Sequence, residues 1–185
     1  MLDLELVRRD VQDVDADALL VPVDGALCRL GGAAGAALRA ALPTEERADE
    51  LEFVGDALER LRPLPDGEAR VIDGVARWRW LVVSAAYPHS KDGRIYTALE
   101  CAQHLRGATA RALATAVGSD VGAIAMTVIG TAYRIPGELA IRAQLDGLAA
   151  GRQLGIRVRW AFRDDALLDI ARRIAGQLGW STGAS

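Results

Sequence analysis

Three stretches of the chain, residues 18–23, 78–86 and 122–129, are almost wholly apolar and only six to nine residues long. A strand with one wet face alternates polar and apolar side chains. An unbroken apolar run of this length is instead a strand buried on both faces, which needs helices above and below it. The sequence supplies them. Residues 31–42 place Leu30, Ala34, Leu38 and Ala41 on one helical stripe, and Pro43 ends it. Thr44 then caps an acidic helix with Glu46 in its first turn and Leu51, Val54, Leu58 and Leu61 inward. Residues 97–117 form a long helix. Pro136 opens another, running to about residue 150 with Ile141, Leu145 and Leu148 inward, and Asp164 or Asp165 caps a last one through Leu178. Shorter strands are expected at 2–7, 69–72 and 156–162. Pro22 marks the end of ladder bonding in the first apolar run. The pattern β-β-α-α-β-β-α-β-α-β-α implies an α/β fold, a three-layer α/β/α sandwich with a mixed central sheet. We expect one domain over residues 1–180 and a short flexible tail over 181–185.

Composition removes several function classes. The longest uncharged run, residues 121–133, has 13 residues, whereas about 18 are needed to span a bilayer. Asp3 and Glu5 interrupt the first apolar stretch, so no secretory signal is read there and a cytoplasmic, non-membrane protein is expected. Net charge is −3, which argues against a general nucleic-acid binder. The charge is uneven: residues 1–60 hold 6 Arg and 14 acids. Lys91 is the single lysine among 22 basic residues, and Ala is abundant; both suggest a GC-rich, bacterial genome. Two cysteines and two histidines are too few for a disulfide framework or a metal site, and no cofactor is expected. The chain contains no asparagine.

In sandwiches of this kind, ligands sit at the carboxyl ends of the strands. Three loops lie there. The first runs from Asp24 through Gly31, Gly32 and Gly35 into a helix. Its small residues allow close backbone approach and the helix start offers N–H donors, which suits a diphosphate. The spacing is not GxGxxG and no Walker lysine follows, and the same small residues would equally let the helix pack closely on the sheet. The second loop, 130–137, offers Gly130, Thr131, Ala132, a Tyr133 ring able to stack, and Arg134 for phosphate; it also reads as a plain turn. The third, 87–94, holds His89 and Lys91 but no inferable Ser-His-acid arrangement. No catalytic residue and no metal ligand is assigned. Arg29 beside Cys28 can lower a thiol pKa, although a small buried hydrophobe describes Cys28 as well. Asp10, Asp13, Asp15 and Asp17 lack the glycine turn of a calcium loop and read as a solvated turn. The repeats Arg77-Trp78-Arg79-Trp80 and Arg157-Val158-Arg159-Trp160 put Arg on one face and aromatics on the other. That face suits a polyanion, a protein partner or self-association, and strand ends with Arg turned to solvent explain it as well.

These residues resemble the macro domain, a module that binds ADP-ribose. Its "GDIT", "DAIVNAAN" and "GGGVDGAIHRAAG" segments are similar to Arg9-Asp10-Val11-Gln12, to residues 17–25 and to residues 31–38. Its "VxHTVGP" strand and loop is similar to residues 82–88, and its "IAFPxxSxGxxGxP" loop to residues 124–136. The order of elements agrees over roughly residues 2–178. Residues 16–38 also resemble the macro-like N-terminal domain of leucyl aminopeptidases, which is not the catalytic part, so no peptidase activity is expected.

The resemblance implies a site for ADP-ribose or a related nucleotide. Asp10 would contact the adenine amino group. The loops with Gly31, Gly32, Gly35 and with Gly130, Thr131, Ala132, Tyr133, Arg134 would straddle the diphosphate and distal ribose, and Tyr133 would pack on the sugar. The family's distal-ribose asparagine falls at or beside Gly25, with Asp24 adjacent. Since the chain has no asparagine, weak or no hydrolysis is expected, unless Asp24 or His89 substitutes. Ala132 stands where the family has a loop glycine, and Asp24 would repel a diphosphate unless Arg134 or Lys91 compensated. The competing expectation is a macro-like scaffold whose pocket is closed and which works through protein contacts.

Overall fold

The computed structural model describes residues 1–88, 94–131 and 135–181. Strands β1 (Asp3–Val7), β2 (Ala18–Asp24), β3 (Ala69–Asp73), β4 (Trp80–Tyr87), β5 (Ala123–Met126) and β6 (Arg157–Ala161) alternate with helices. The helices are α1 (Gly32–Ala41), α2 (Arg47–Arg60), α3 (Ala98–Val117), α4 (Gly137–Ala150) and α5 (Asp165–Gln177), and a 3₁₀ turn spans Val11–Asp13. The expected element order and the mixed sheet are both present. From residue 182 onward, the expected tail lies outside the described residues. Among the described residues no helix is long and apolar enough to cross a membrane.

The strand order is β1-β6-β5-β2-β4-β3. All neighbours are parallel except β3 and β4, which pair antiparallel from Ala69↔Ser84 to Asp73↔Trp80. Alternation along β2 sends Ala18 and Leu20 to one face and Leu19, Val21 and Val23 to the other. The first face packs against α3, α4 and α5 through Leu105, Ile141, Leu145 and Leu168, with Val158, Trp160 and Phe162 of the β6 region beneath them. The second face packs under α1 and α2 through Leu38, Val54 and Leu58. Neither set of helices could bury its stripe alone, so the sheet supplies both cores.

Local chemistry fixes several boundaries. Thr97 accepts from the Glu100 amide at 3.2 Å while Glu100 accepts back from the Thr97 amide at 2.8 Å, a complete capping box at the start of α3. Asp164 caps α5 by accepting from the Ala166 amide at 2.8 Å. Thr44 does not cap α2: residues 44–46 form a turn, and the helix begins at Arg47 with Glu46 at its head. The strand expected from residue 78 begins at Trp80. Trp78 therefore drops into the core under α1 and α2 while Trp80 packs on the opposite one. Pro22 does not end the ladder either, since it is in register with Ser84 and β2 continues to Asp24.

The Arg-bearing face of β6 is matched by β1. Arg157 pairs with Asp3 at 3.0 Å and Arg159 with Glu5 at 2.9 Å, each directly across the ladder. That local neutralisation weakens the polyanion expectation. Asp17 serves the fold: its carboxylate accepts from the Gly122 and Ala123 amides at 3.0 and 2.8 Å, tying the start of β2 to the start of β5. Asp17→Ala is expected to lower stability by about 1–2 kcal/mol, read as a shift in the urea midpoint with an unchanged slope.

Candidate functional site

The β2–β5 ladder holds only Ala18↔Ile124 and Leu19↔Ala125 before the strands part. Between these two strands the connections also change direction, β2 leading toward β4 and β5 toward β6. An open α/β sheet places its ligand crevice at such a point. A cavity of about 450 Å³ occupies it, walled by Pro22 to Asp24 of β2, Leu27, Arg29, Gly31 to Ala33 at the head of α1, Tyr87, and Thr127 to Thr131 after β5. This is an ordinary size for a small-molecule site. A larger cavity, about 540 Å³, lies at the opposite, amino ends of the strands. Its acids are already engaged: Asp3 with Arg157, Asp15 with Arg159, and Asp17 with backbone amides.

The wall of the crevice is built mostly of backbone. No side chain caps α1, whose first turn therefore presents its amides without a side-chain acceptor. Gly32 enters the helix at φ +59°, a left-handed conformation, with open space where a Cβ would stand. On the other bank, Gln144 of α4 is wholly buried and reaches up to the loop after β5. Its Oε1 accepts from the Ile129 amide at 2.9 Å and its Nε2 donates to the Thr127 carbonyl at 3.3 Å. Residues 127–129 have left the sheet and lack ladder partners of their own, and Gln144 replaces them.

The first loop is strapped from below. The Leu64 amide donates to the Gly25 carbonyl at 2.8 Å and Arg62 Nε donates to the Ala26 carbonyl at 3.2 Å. A Cβ on Gly25 would stand 2.1 Å from the Leu64 carbonyl oxygen, so no larger residue fits. Asp24 Oδ1 accepts from the Ala26 and Leu27 amides at 2.8 and 3.4 Å, and the Cys28 amide donates to the Asp24 carbonyl at 2.7 Å. Asp24 thereby shapes the turn. Burial pushes the Cys28 thiol above its ordinary value, outweighing nearby Arg62, and Cys28 fills the core as a small apolar residue.

Of the residues singled out from sequence, the structure gathers Asp24, Gly31, Gly32, Gly130 and Thr131 on one cavity wall. Gly25 lies beneath that wall, held by Leu64. Gly35 lies farther into α1 and packs close to Leu30. Asp10 stands at the head of the 3₁₀ turn, away from the wall, its carboxylate held by Arg163 and, at 3.2 Å, by Gln12. Ala132, Tyr133 and Arg134 lie outside the described residues, as do His89 and Lys91. Sequence reasoning missed Gln144, although an amide among the inward positions Ile141, Leu145 and Leu148 was a legible signal. It also missed Arg29, the one cation among the described residues of this wall.

No protein-family model and no curated sequence matches the chain. Solved structures do. The chain is similar to a mutant of the Oceanobacillus iheyensis macrodomain with ADPR (19% identity, TM-score 0.71), covering 95% of this chain and 92% of that one. It is similar to the same macrodomain with ADP, at 19% identity and TM-score 0.70, covering 95% and 90%. It is also similar to the Trypanosoma brucei macrodomain in complex with ADP-ribose, at 16% identity and TM-score 0.67, covering 94% and 69%. The chain has the macrodomain fold.

Gln144→Leu keeps the volume but leaves the buried Ile129 amide and the half-buried Thr127 carbonyl without their partner. We expect a loss of about 1–3 kcal/mol and faster amide exchange at Ile129, with exchange in β4 unchanged.

Proposed function

We propose that this protein binds ADP-ribose or a closely related nucleoside diphosphate in the crevice between β2 and β5, without efficient hydrolysis. One observation carries the reading. The uncapped head of α1, entered through Gly31 and Gly32, faces the Gly130–Thr131 loop across a cavity at the strand ends. The α1 amides suit a diphosphate, because each N–H donates at short range and the α1 dipole adds positive potential, and the Gly130–Thr131 loop lines the same cavity. Arg29 contributes a full positive charge on the same wall, which offsets the Asp24 carboxylate. The neighbours of the same fold that carry ADPR, ADP and ADP-ribose support this ligand class.

The binding-only part of the proposal rests on what the loop lacks. The chain has no asparagine, Gly25 has no room for a side chain, and the Asp24 carboxylate is committed to its own turn. The first loop therefore offers no uncommitted side chain to orient a water or a ribose hydroxyl from the Gly25 position. The alternative of a closed scaffold acting through protein contacts is less favoured by the cavity that the described residues line.

The test is calorimetric titration of the whole protein with ADP-ribose, with AMP as the control. We expect micromolar binding of ADP-ribose and binding of AMP weaker by an order of magnitude or more. Gly32→Asp is the diagnostic variant. Asp meets open space there and favours a helix head, but the left-handed φ strains any side chain by about 1 kcal/mol, so the melting temperature is measured alongside. Its charge opposes a diphosphate, and affinity should fall at least about 10-fold, or 1.4 kcal/mol. An unchanged affinity would remove the head of α1 from the site.

A further inference from the structure

A second, smaller cavity of about 130 Å³ adjoins the first and shares Ala33, Thr127 and Val128 with it. It is small and lined in part by apolar side chains, with Val11, Phe162 and Leu167 on the walls. A flat heterocycle fits such a slot, and on the nucleotide reading above it is where the base lies while the diphosphate occupies the larger cavity.

The polar rim of this slot is made of donors. Arg9 and Arg163 both line it. Arg163 meets Asp10 through Nε, and its guanidinium has no other polar partner among the described residues. Arg9 has no hydrogen-bond or ion-pair partner among them either. The one carboxylate on the wall, Asp164, is turned to the head of α5, where Oδ1 accepts from Ala166 and Leu167. Asp10 is not on the wall, and each of its oxygens already accepts, one from Arg163 and one from Gln12. The carboxylate expected to receive an adenine amino group is thus paired with a guanidinium.

We infer that Arg163, assisted by Arg9, makes this slot selective for a purine bearing a carbonyl at C6, hypoxanthine or guanine, over adenine. This deepens the proposed function and rests on it. A guanidinium only donates. Against adenine it faces an amino group that also donates at C6. Against a 6-oxopurine it meets O6 and N7, two acceptors spaced for its planar fork. Asp10 acts here as a positioning residue, holding Arg163 through Nε and leaving its other N–H groups without a partner among the described residues.

The experiment compares ADP, IDP and GDP by calorimetry on the whole protein. ADP and IDP share ribose and diphosphate and differ only at the C6 edge. The inference expects IDP and GDP to bind on the order of 10-fold tighter than ADP. In Arg163→Gln the IDP advantage should shrink to about 2-fold or less, because the amide can accept from adenine as well as donate. Arg163→Lys, which keeps the charge and loses the fork, should lose most of it too. The Asp10–Arg163 pair is solvent-exposed, so these variants should keep their melting temperature within a few degrees. ADP binding as tightly as IDP in the parent protein overturns the inference and leaves the nucleotide reading standing, as does an IDP advantage that survives in Arg163→Gln. Failure of all three nucleotides and of ADP-ribose defeats the nucleotide reading itself, and this inference with it.

Discussion

Much of this structure depends on where β2 and β5 stop being hydrogen-bonded. They are central neighbours in the sheet, yet they share only the Ala18↔Ile124 and Leu19↔Ala125 positions. Beyond that point each strand end needs other partners for its backbone, because an unpaired buried amide costs as much as a lost hydrogen bond. On the β2 side the ladder to β4 continues to Asp24, and the Leu64 segment takes the carbonyl of Gly25. On the β5 side the buried amide of Gln144 takes over. The two solutions hold the banks of the crevice apart. The helices on either face, α1 with α2 and α3 with α4 and α5, then fix the sheet from which both banks project.

The same geometry accounts for the first loop. Close approach of Leu64 to Gly25 leaves no space for a side chain at that position. The neighbouring Asp24 is used to turn the chain toward α1. Among the described residues, the wall that meets a ligand includes Gly31 to Ala33 at the head of α1, the Arg29 guanidinium, Tyr87 and residues 127–131. A wall of that kind suits an anion.

Elements whose signals are local were legible in the sequence. The apolar strands, the helical stripes and the Asp164 cap all depend on residues a few positions apart, and all are present. Thr44 was misread because a turn over residues 44–46 delays the helix to Arg47. Trp78 was misread because apolar content alone does not show where β4 begins. The site was only partly legible for a physical reason. Gly31, Gly32, Gly130 and Thr131 announce themselves by type and position, whereas the contacts that decide their surroundings are long-range. Leu64 on Gly25, Gln144 under Thr127 and Ile129, and Arg163 on Asp10 join residues that are 15 to 153 positions apart or more loosely coupled than any spacing rule captures.

On the proposed function, the two loops at the parted ends of β2 and β5 form one anion-binding crevice. The most direct measurement is an amide chemical-shift titration of isotope-labelled protein with ADP-ribose. The largest shifts are expected on Gly31 to Ala34 and on Val128 to Thr131 together, in one saturable process. Shifts confined to Gly122, Ala123 and Arg157 at the opposite end of the sheet would contradict it, as would saturation of one loop without the other.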